Sequence, residues 1–388
     1  MYLIYFLLGV LAFWGSSACR RGEWNEDYTS LKQTKMLLGL TALLISFHHM
    51  GQKTCAPWHQ QKYIIHGLDF FVNIGYIFVA IFFFCSGLGL YKSFKNKKDY
   101  LKGFIVRRIV PIVIAFYLSE VIYLVIRLIM REKMGPKDVI WYLSGLHMAN
   151  FNSWYAIIIP FFYLAFYLAF RFCKKEGTAI LWVFIAAAAY TVLGACLGHP
   201  QGWWMRGEWW YNSIILFPIG LLFGKHEEKI TAFFKKAYPV LLPLSFVSVI
   251  LFSVLSKLAT DVWWGYYGEY SRDPLTVPHR IGSAASQWLV CISVVLLCFL
   301  FMMKVRIGNK VLAFFGGLTF EFYLMHGIFV ELFGYDFLEM LPSIYYIKNV
   351  PLYIVVVIAC AIPLTLLYSF IWKTILRVLG IGKSRVTS

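Results

Sequence analysis

Apolar residues run along this chain in uninterrupted blocks, without the strict alternation of a half-buried strand or the three-to-four spacing of a surface helix. Eleven blocks stand out, at 2–19, 36–50, 67–91, 109–130, 156–172, 178–198, 213–224, 239–259, 287–303, 318–335 and 351–376. A helix needs about 20 residues to cross about 30 Å of hydrocarbon, and all but one of the blocks approach or exceed that length. In lipid only helices and closed barrels satisfy their own backbone, and barrel strands alternate. The pattern therefore predicts an all-α fold, a polytopic transmembrane bundle of about eleven helices. The block at 213–224 is too short alone, so it must begin earlier, borrow flanking aromatics or break at Pro218.

Composition agrees. Of 388 residues, 60% are hydrophobic and 14% charged, against roughly 45–50% and 25% in soluble domains. The net charge of +17 is spread over short loops instead of forming one stripe, so no nucleic-acid partner is expected. Alternate loops divide the charge unevenly: one set holds 25 Lys and Arg, the opposite set 9. The positive-inside rule then puts the N-terminus outside, the C-terminus in the cytoplasm and the protein in a cell membrane, with anionic lipid against its basic loops. The first block lacks a basic leader, and Arg20 and Arg21 follow it, which favours a retained helix over a signal peptide. Residues 1–30 are expected to form this additional helix, 31–376 the membrane core and 377–388 a cytoplasmic tail. Eight cysteines show no CxxC and no metal-like spacing, so no metal is expected. No loop is long enough for a soluble catalytic domain, which confines any chemistry to the bundle.

Ionisable groups inside a bilayer are costly and mark partners or function. His48 and His49 lie 13 and 14 residues beyond Lys35, about 20 Å along their helix. A structural, bundle-satisfied histidine is the alternative for either one alone. Phe-rich FVAIFFFCSGLGLYKSF (78–94) contains Ser86 and runs into a basic hinge, where Lys92–Arg108 holds seven Lys and Arg, including Lys102, Arg107 and Arg108. Such a cluster suits anionic phosphates, or else anchors the chain against lipid headgroups. LTFEFYLMHGIFVELF (318–333) carries Glu321, His326 and Glu331. Glu120 and Arg127 are seven apart, two turns on one face. Trp-rich segments at 202–212 and 261–270, with Trp204 and Trp264 among them, are membrane-interface anchors or platforms for sugar rings.

Five of these pieces, in order, resemble the acyltransferase-3 family of bacterial membrane acyltransferases: LLGLTALLISFHHM, FFFCSGLGLY, VRRIVP, NSWYAIIIPFFYL and FEFYLMHGIFV. The resemblance covers residues 30 to 376 and implies ten core helices. It implies an enzyme that takes an acyl group, often acetyl, from cytoplasmic acyl-CoA to a hydroxyl of a glycan or lipid-linked saccharide at the outer face. His48 or His49 would hold the central catalytic role, with His326 and Glu321 as catalytic partners. Arg107 and Arg108 would hold the donor, with Lys102 and Ser86 beside them. Trp154, Tyr155, Glu120, Arg127, Trp204 and Trp264 would serve the acceptor. Two features depart from the family's pattern: Leu37 and Leu38 stand where an arginine often precedes the histidine by eleven positions, and the junction arginines are adjacent instead of three apart. The choice between the two histidines stays open here. A homodimer is one possible assembly. A secondary transporter or exporter, or a glycan flippase, would also use buried His, Glu and Arg, though no two matching halves accompany them.

Overall fold

The computed structural model describes residues 2–197, 205, 207–263, 276–337, 341–342 and 344–381. Its helices are α1 (Tyr2–Phe13), α2 (Leu31–Thr54), α3 (Gly75–Asn96), α4 (Val110–Ile129), α5 (Pro136–Ser144), α6 (Trp154–Phe172), α7 (Glu176–Leu197), α8 (Leu216–Lys225), α9 (Glu227–Leu258), α10 (Val277–Met302), α11 (Lys310–Gly317), α12 (Thr319–Phe333) and α13 (Val350–Val378). Every predicted block falls on a helix. Among the described residues seven helices are long and apolar enough to cross a membrane, or eight if α11 and α12, bent by 89°, count as one span. The remaining three blocks are α1, α2 and α8.

Each of those three departs from the simple rule for a physical reason. Helix α1 has 12 residues, about 18 Å at 1.5 Å per residue, and is short of a full crossing. It is followed by Ser17–Ala18, which pairs antiparallel with Val305–Arg306 between α10 and α11. Asn309 Nδ2 also donates to the Leu11 carbonyl at 2.6 Å. Helix α2 is long enough, at 24 residues, but its sequence is too polar to count as a lipid-facing span. Packing explains this: 15 of its residues are buried, including Gln33, Thr34, Thr41, Ser46 and Lys53. Its polar groups meet protein, where partners exist, instead of lipid. Helix α8 has 10 residues and Pro218 in its first turn.

Burial sorts the helices into an inner and an outer set. In α12, 11 of 15 residues are buried, among them Glu321, His326 and Glu331. Helix α9 is the opposite case, with Ser245 and Ser256 its only buried residues and Leu244, Val247, Ile250, Leu251 and Val254 all more than half exposed. Lipid tails solvate such a face as well as a protein core would. The inner pair α2 and α12 is enclosed by α3, α4, α11 and α13.

Without a hydrophobic drive between helices in lipid, close packing depends on small residues. Helix α8 shows it. A Cβ on Gly220 would strike the Phe84 carbonyl of α3, and one on Gly87 would strike the Phe217 carbonyl of α8. The two backbones touch reciprocally, which fastens a helix too short to be held by length. Gly220→Val is expected to cost about 3 kcal/mol or more by overpacking, whereas Gly89→Ala, with nothing within 4 Å of its Cβ, should be neutral or slightly stabilising. Thermal unfolding of both variants in detergent checks this.

Candidate active site

The last two turns of α2 carry His48, His49, Gln52 and Lys53, and they end against the middle of α12. Three imidazoles meet there: the rings of His48 and His49 are 4.9 Å apart by centroid, and those of His49 and His326 5.3 Å. His48 is tied down. Its Nδ1–H donates to the Phe71 carbonyl at 2.7 Å, and its Nε2 edge abuts the backbone of Gly75, where any Cβ would collide with the ring. Phe71 is itself stacked on Tyr5 of α1 at 5.7 Å, so the N-terminal helix supports the group that orients His48. The loop bearing Phe71 is drawn tight by Asp69, which accepts from His66 at 2.5 Å and from the Gly67 N–H at 2.8 Å. Partial burial pushes the Asp69 carboxyl up, but those hydrogen bonds outweigh it and hold it below its ordinary value.

His49 is freer, with Nδ1 facing Gln52 Oε1 of its own helix at 3.3 Å. His326 is wholly buried. Its Nδ1–H donates to the Phe322 carbonyl one turn back, at 2.8 Å. That bond sets the tautomer and leaves Nε2 as a lone-pair acceptor, and this nitrogen has no hydrogen-bond partner among the described residues. A turn further along each helix, Lys53 and Glu331 form an ion pair of 2.7 Å with side chains about one-tenth exposed. The pair locks α2 to α12 beside the imidazoles.

A line of hydroxyl groups leads away from this cluster toward the basic hinge. Tyr323, one turn before His326, donates through its hydroxyl to the Asn152 carbonyl and receives the Tyr155 N–H at 3.2 Å. The Tyr155 hydroxyl lies 3.1 Å from Ser86 Oγ. Tyr163 is within hydrogen-bonding reach of Ser86 and within electrostatic reach of Arg108. Ser86, Tyr155 and Arg108 thus share one polar line, with Tyr163 and Tyr323 completing it.

Other expected site residues are held elsewhere. Glu321 accepts from Ser369 Oγ at 3.1 Å and pairs with Lys373 at 3.3 Å, both on α13. Five residues turn it away from the His326 face. Arg107 folds back onto its own loop, donating to the Tyr100 carbonyl at 3.0 Å and to the Lys102 carbonyl. Lys102 offers that carbonyl and is otherwise exposed. The Arg108 guanidinium sits 5.7 Å over the Tyr100 ring. Glu120 accepts the backbone N–H of Ala149 and Asn150 and the Ser153 hydroxyl. Arg127 donates to the Ala149 carbonyl, pairs with Glu132 at 2.7 Å and lies between the Tyr142 and Phe151 rings. Together these two clamp the loop at 147–153. Trp154 is buried against Phe83 and Trp210. Trp204 and Trp264 lie outside the described residues.

Tyr123, Asn152, Tyr163 and Tyr323 are not singled out by the sequence: they are three among 25 tyrosines and a loop asparagine, and only packing shows their neighbours. Lys53 and Glu331 were visible as charges inside or beside apolar blocks, but their pairing was not. All eight cysteines are unpaired. Among the described residues no group of three or more His, Cys, Asp or Glu side chains is arranged to hold a metal ion.

Removing one member of a buried ion pair strands the other, at a cost of about 3–5 kcal/mol, whereas replacing both with apolar groups is far milder. Lys53→Met should therefore destabilise strongly, and Lys53→Met with Glu331→Leu should recover most of the loss. Thermal unfolding of wild type, single and double variants checks this.

The model of a family described as an acyltransferase domain matches residues 37–370. No curated protein and no solved structure matches the chain.

Proposed function

Because the chain belongs to the acyltransferase-3 family of membrane proteins, whose members are transferases, we propose that it moves an acyl group, acetyl in the simplest case, from acyl-CoA at the basic face to a hydroxyl at the opposite face. The acceptor is a glycan or lipid-linked saccharide. The basic face is cytoplasmic, in keeping with its excess of Lys and Arg.

The observation that carries this reading is the partnerless Nε2 of His326, buried beside His49. A lone pair held in a fixed tautomer away from water is what a general base requires. In the proposed step Nε2 takes the proton of the acceptor hydroxyl as its oxygen bonds to the thioester carbon. The C–S bond breaks, and the CoA sulfur leaves with that proton. The products are an ester and a free thiol, with no net change in charge. His49 flanks the same space and orients the acceptor, while His48 serves as a positioning residue through Phe71. The hydroxyl line from Arg108 to Tyr323 suits the polar arm of the donor, with Arg108 toward its phosphates.

Purified protein given radiolabelled acetyl-CoA and candidate saccharides should transfer label to the saccharide. His49→Ala and His326→Ala should each lower turnover by about 10²–10⁴-fold, the usual worth of a positioned acid or base. His48→Ala should stay within about tenfold of wild type, having lost one hydrogen bond of about 1 kcal/mol. No label transfer by the wild type, with glycan or small-molecule movement in its place, would replace this reading with a transporter or flippase. Full activity of both the His49 and His326 variants would remove the proposed centre.

A further inference from the structure

The stripe of α12 next to His326 consists of Tyr323, Gly327 and Glu331, successive residues one turn apart. At Gly327 the stripe has no side chain, and two polar groups from other elements fill the place that one would take. The Tyr123 hydroxyl of α4 lies 2.6 Å from where a Cβ on Gly327 would stand, and the Asn152 side-chain amide 3.1 Å from it. Any larger residue would push both aside. Tyr123 is 1% exposed, and its hydroxyl has no hydrogen-bond partner among the described residues. Buried hydroxyls without partners are rare because they forfeit their bonds to water. Here the orphaned hydroxyl is packed against the residue that follows His326, whose Nε2 is orphaned as well. Ser46 Oγ, one turn before His49 on α2, is the third such atom near the cluster.

We propose that Tyr123 and Asn152, brought against α12 by the missing side chain of Gly327, donate hydrogen bonds to the carbonyl oxygen of the acyl group as it gains negative charge. This rests on the acyl-transfer reading above and adds to it the group that stabilises the oxyanion. When the acceptor oxygen bonds to the carbonyl carbon, the π electron pair moves onto the carbonyl oxygen, between these donors. It returns when the C–S bond breaks. Donors fixed before the reaction in a water-poor site are worth most at that moment. A glycine is required because the Tyr123 hydroxyl stands directly against the helix backbone, where a methyl group would displace it.

The test is Tyr123→Phe, which keeps the ring and removes the donor, with Gly327→Ala as an independent obstruction and Tyr117→Phe, an exposed tyrosine of the same helix, as control. Radiolabelled acetyl-CoA is the probe, with thermal unfolding measured in parallel. Tyr123→Phe should lower kcat by about 10²–10³-fold, the usual cost of one oxyanion donor, with KM for acetyl-CoA unchanged. Its Tm should equal or exceed that of the wild type, since an unpartnered buried hydroxyl has been removed; a merely structural tyrosine would lose Tm instead. Gly327→Ala should also lose kcat, and if it does not fold, Tyr123→Phe alone decides. Wild-type kcat in Tyr123→Phe, or a rise in KM with kcat unchanged, overturns the proposal while leaving acyl transfer intact. A wild-type protein that transfers no acetyl rejects acyl transfer, and the role of the two donors with it.

Discussion

A polar group removed from water inside a bilayer must find its partner within the protein, and this requirement organises the bundle. Helices α2 and α12 carry the groups that lipid cannot solvate, so they occupy the interior, and helices with little polarity close around them. The Lys53–Glu331 pair, at 2.7 Å, joins the two at the level of the imidazoles. Helix α9, which has almost nothing to hide, is left facing lipid. The same requirement makes the exceptions informative. Of the buried side-chain atoms left without a hydrogen bond among the described residues, the Nε2 of His326, the Tyr123 hydroxyl and the Ser46 hydroxyl lie on the helices that meet at the imidazoles, and the proposed site is built on them.

The helices that surround this place also determine its two approaches. The α2–loop–α3 turn brings Phe71 and Gly75 against His48, and α1 braces that turn through the Tyr5–Phe71 stack. On the other side, α3 and α6 present Ser86 and Tyr155, and the start of α4 presents Arg108. In the acyl-transfer proposal, donor and acceptor arrive from opposite faces and meet at His49 and His326. Glu120 and Arg127 act at one remove, because the loop they clamp supplies Asn152 and the first turn of α6.

Much of the architecture was legible from hydropathy, since the bilayer demands long apolar runs and each of the eleven blocks became a helix. The position of His48 and His49 near the end of a helix was legible from counting residues past Lys35. Their different surroundings were not, because those depend on Phe71 and Gly75, which arrive from a later segment. Glu321 shared a helix with His326 and was expected beside it, yet five positions turn it toward Ser369 and Lys373 of α13. Arg107 and Arg108 looked equivalent as neighbours in sequence. The loop geometry separates them, returning Arg107 to the Lys102 carbonyl while Arg108 lies over the Tyr100 ring. Helical periodicity states which face a residue occupies, but not which neighbouring helix meets that face.

The account depends on the state of one nitrogen. Selective ¹⁵N labelling of the histidines in nanodiscs, with the His326 signal identified by its loss in a His326 variant, reports directly which ring nitrogen carries the proton. The prediction is a proton on Nδ1, bound to the Phe322 carbonyl, and a bare Nε2. A proton residing on Nε2, with Nδ1 bare, would contradict the proposed base and the chemistry built around it.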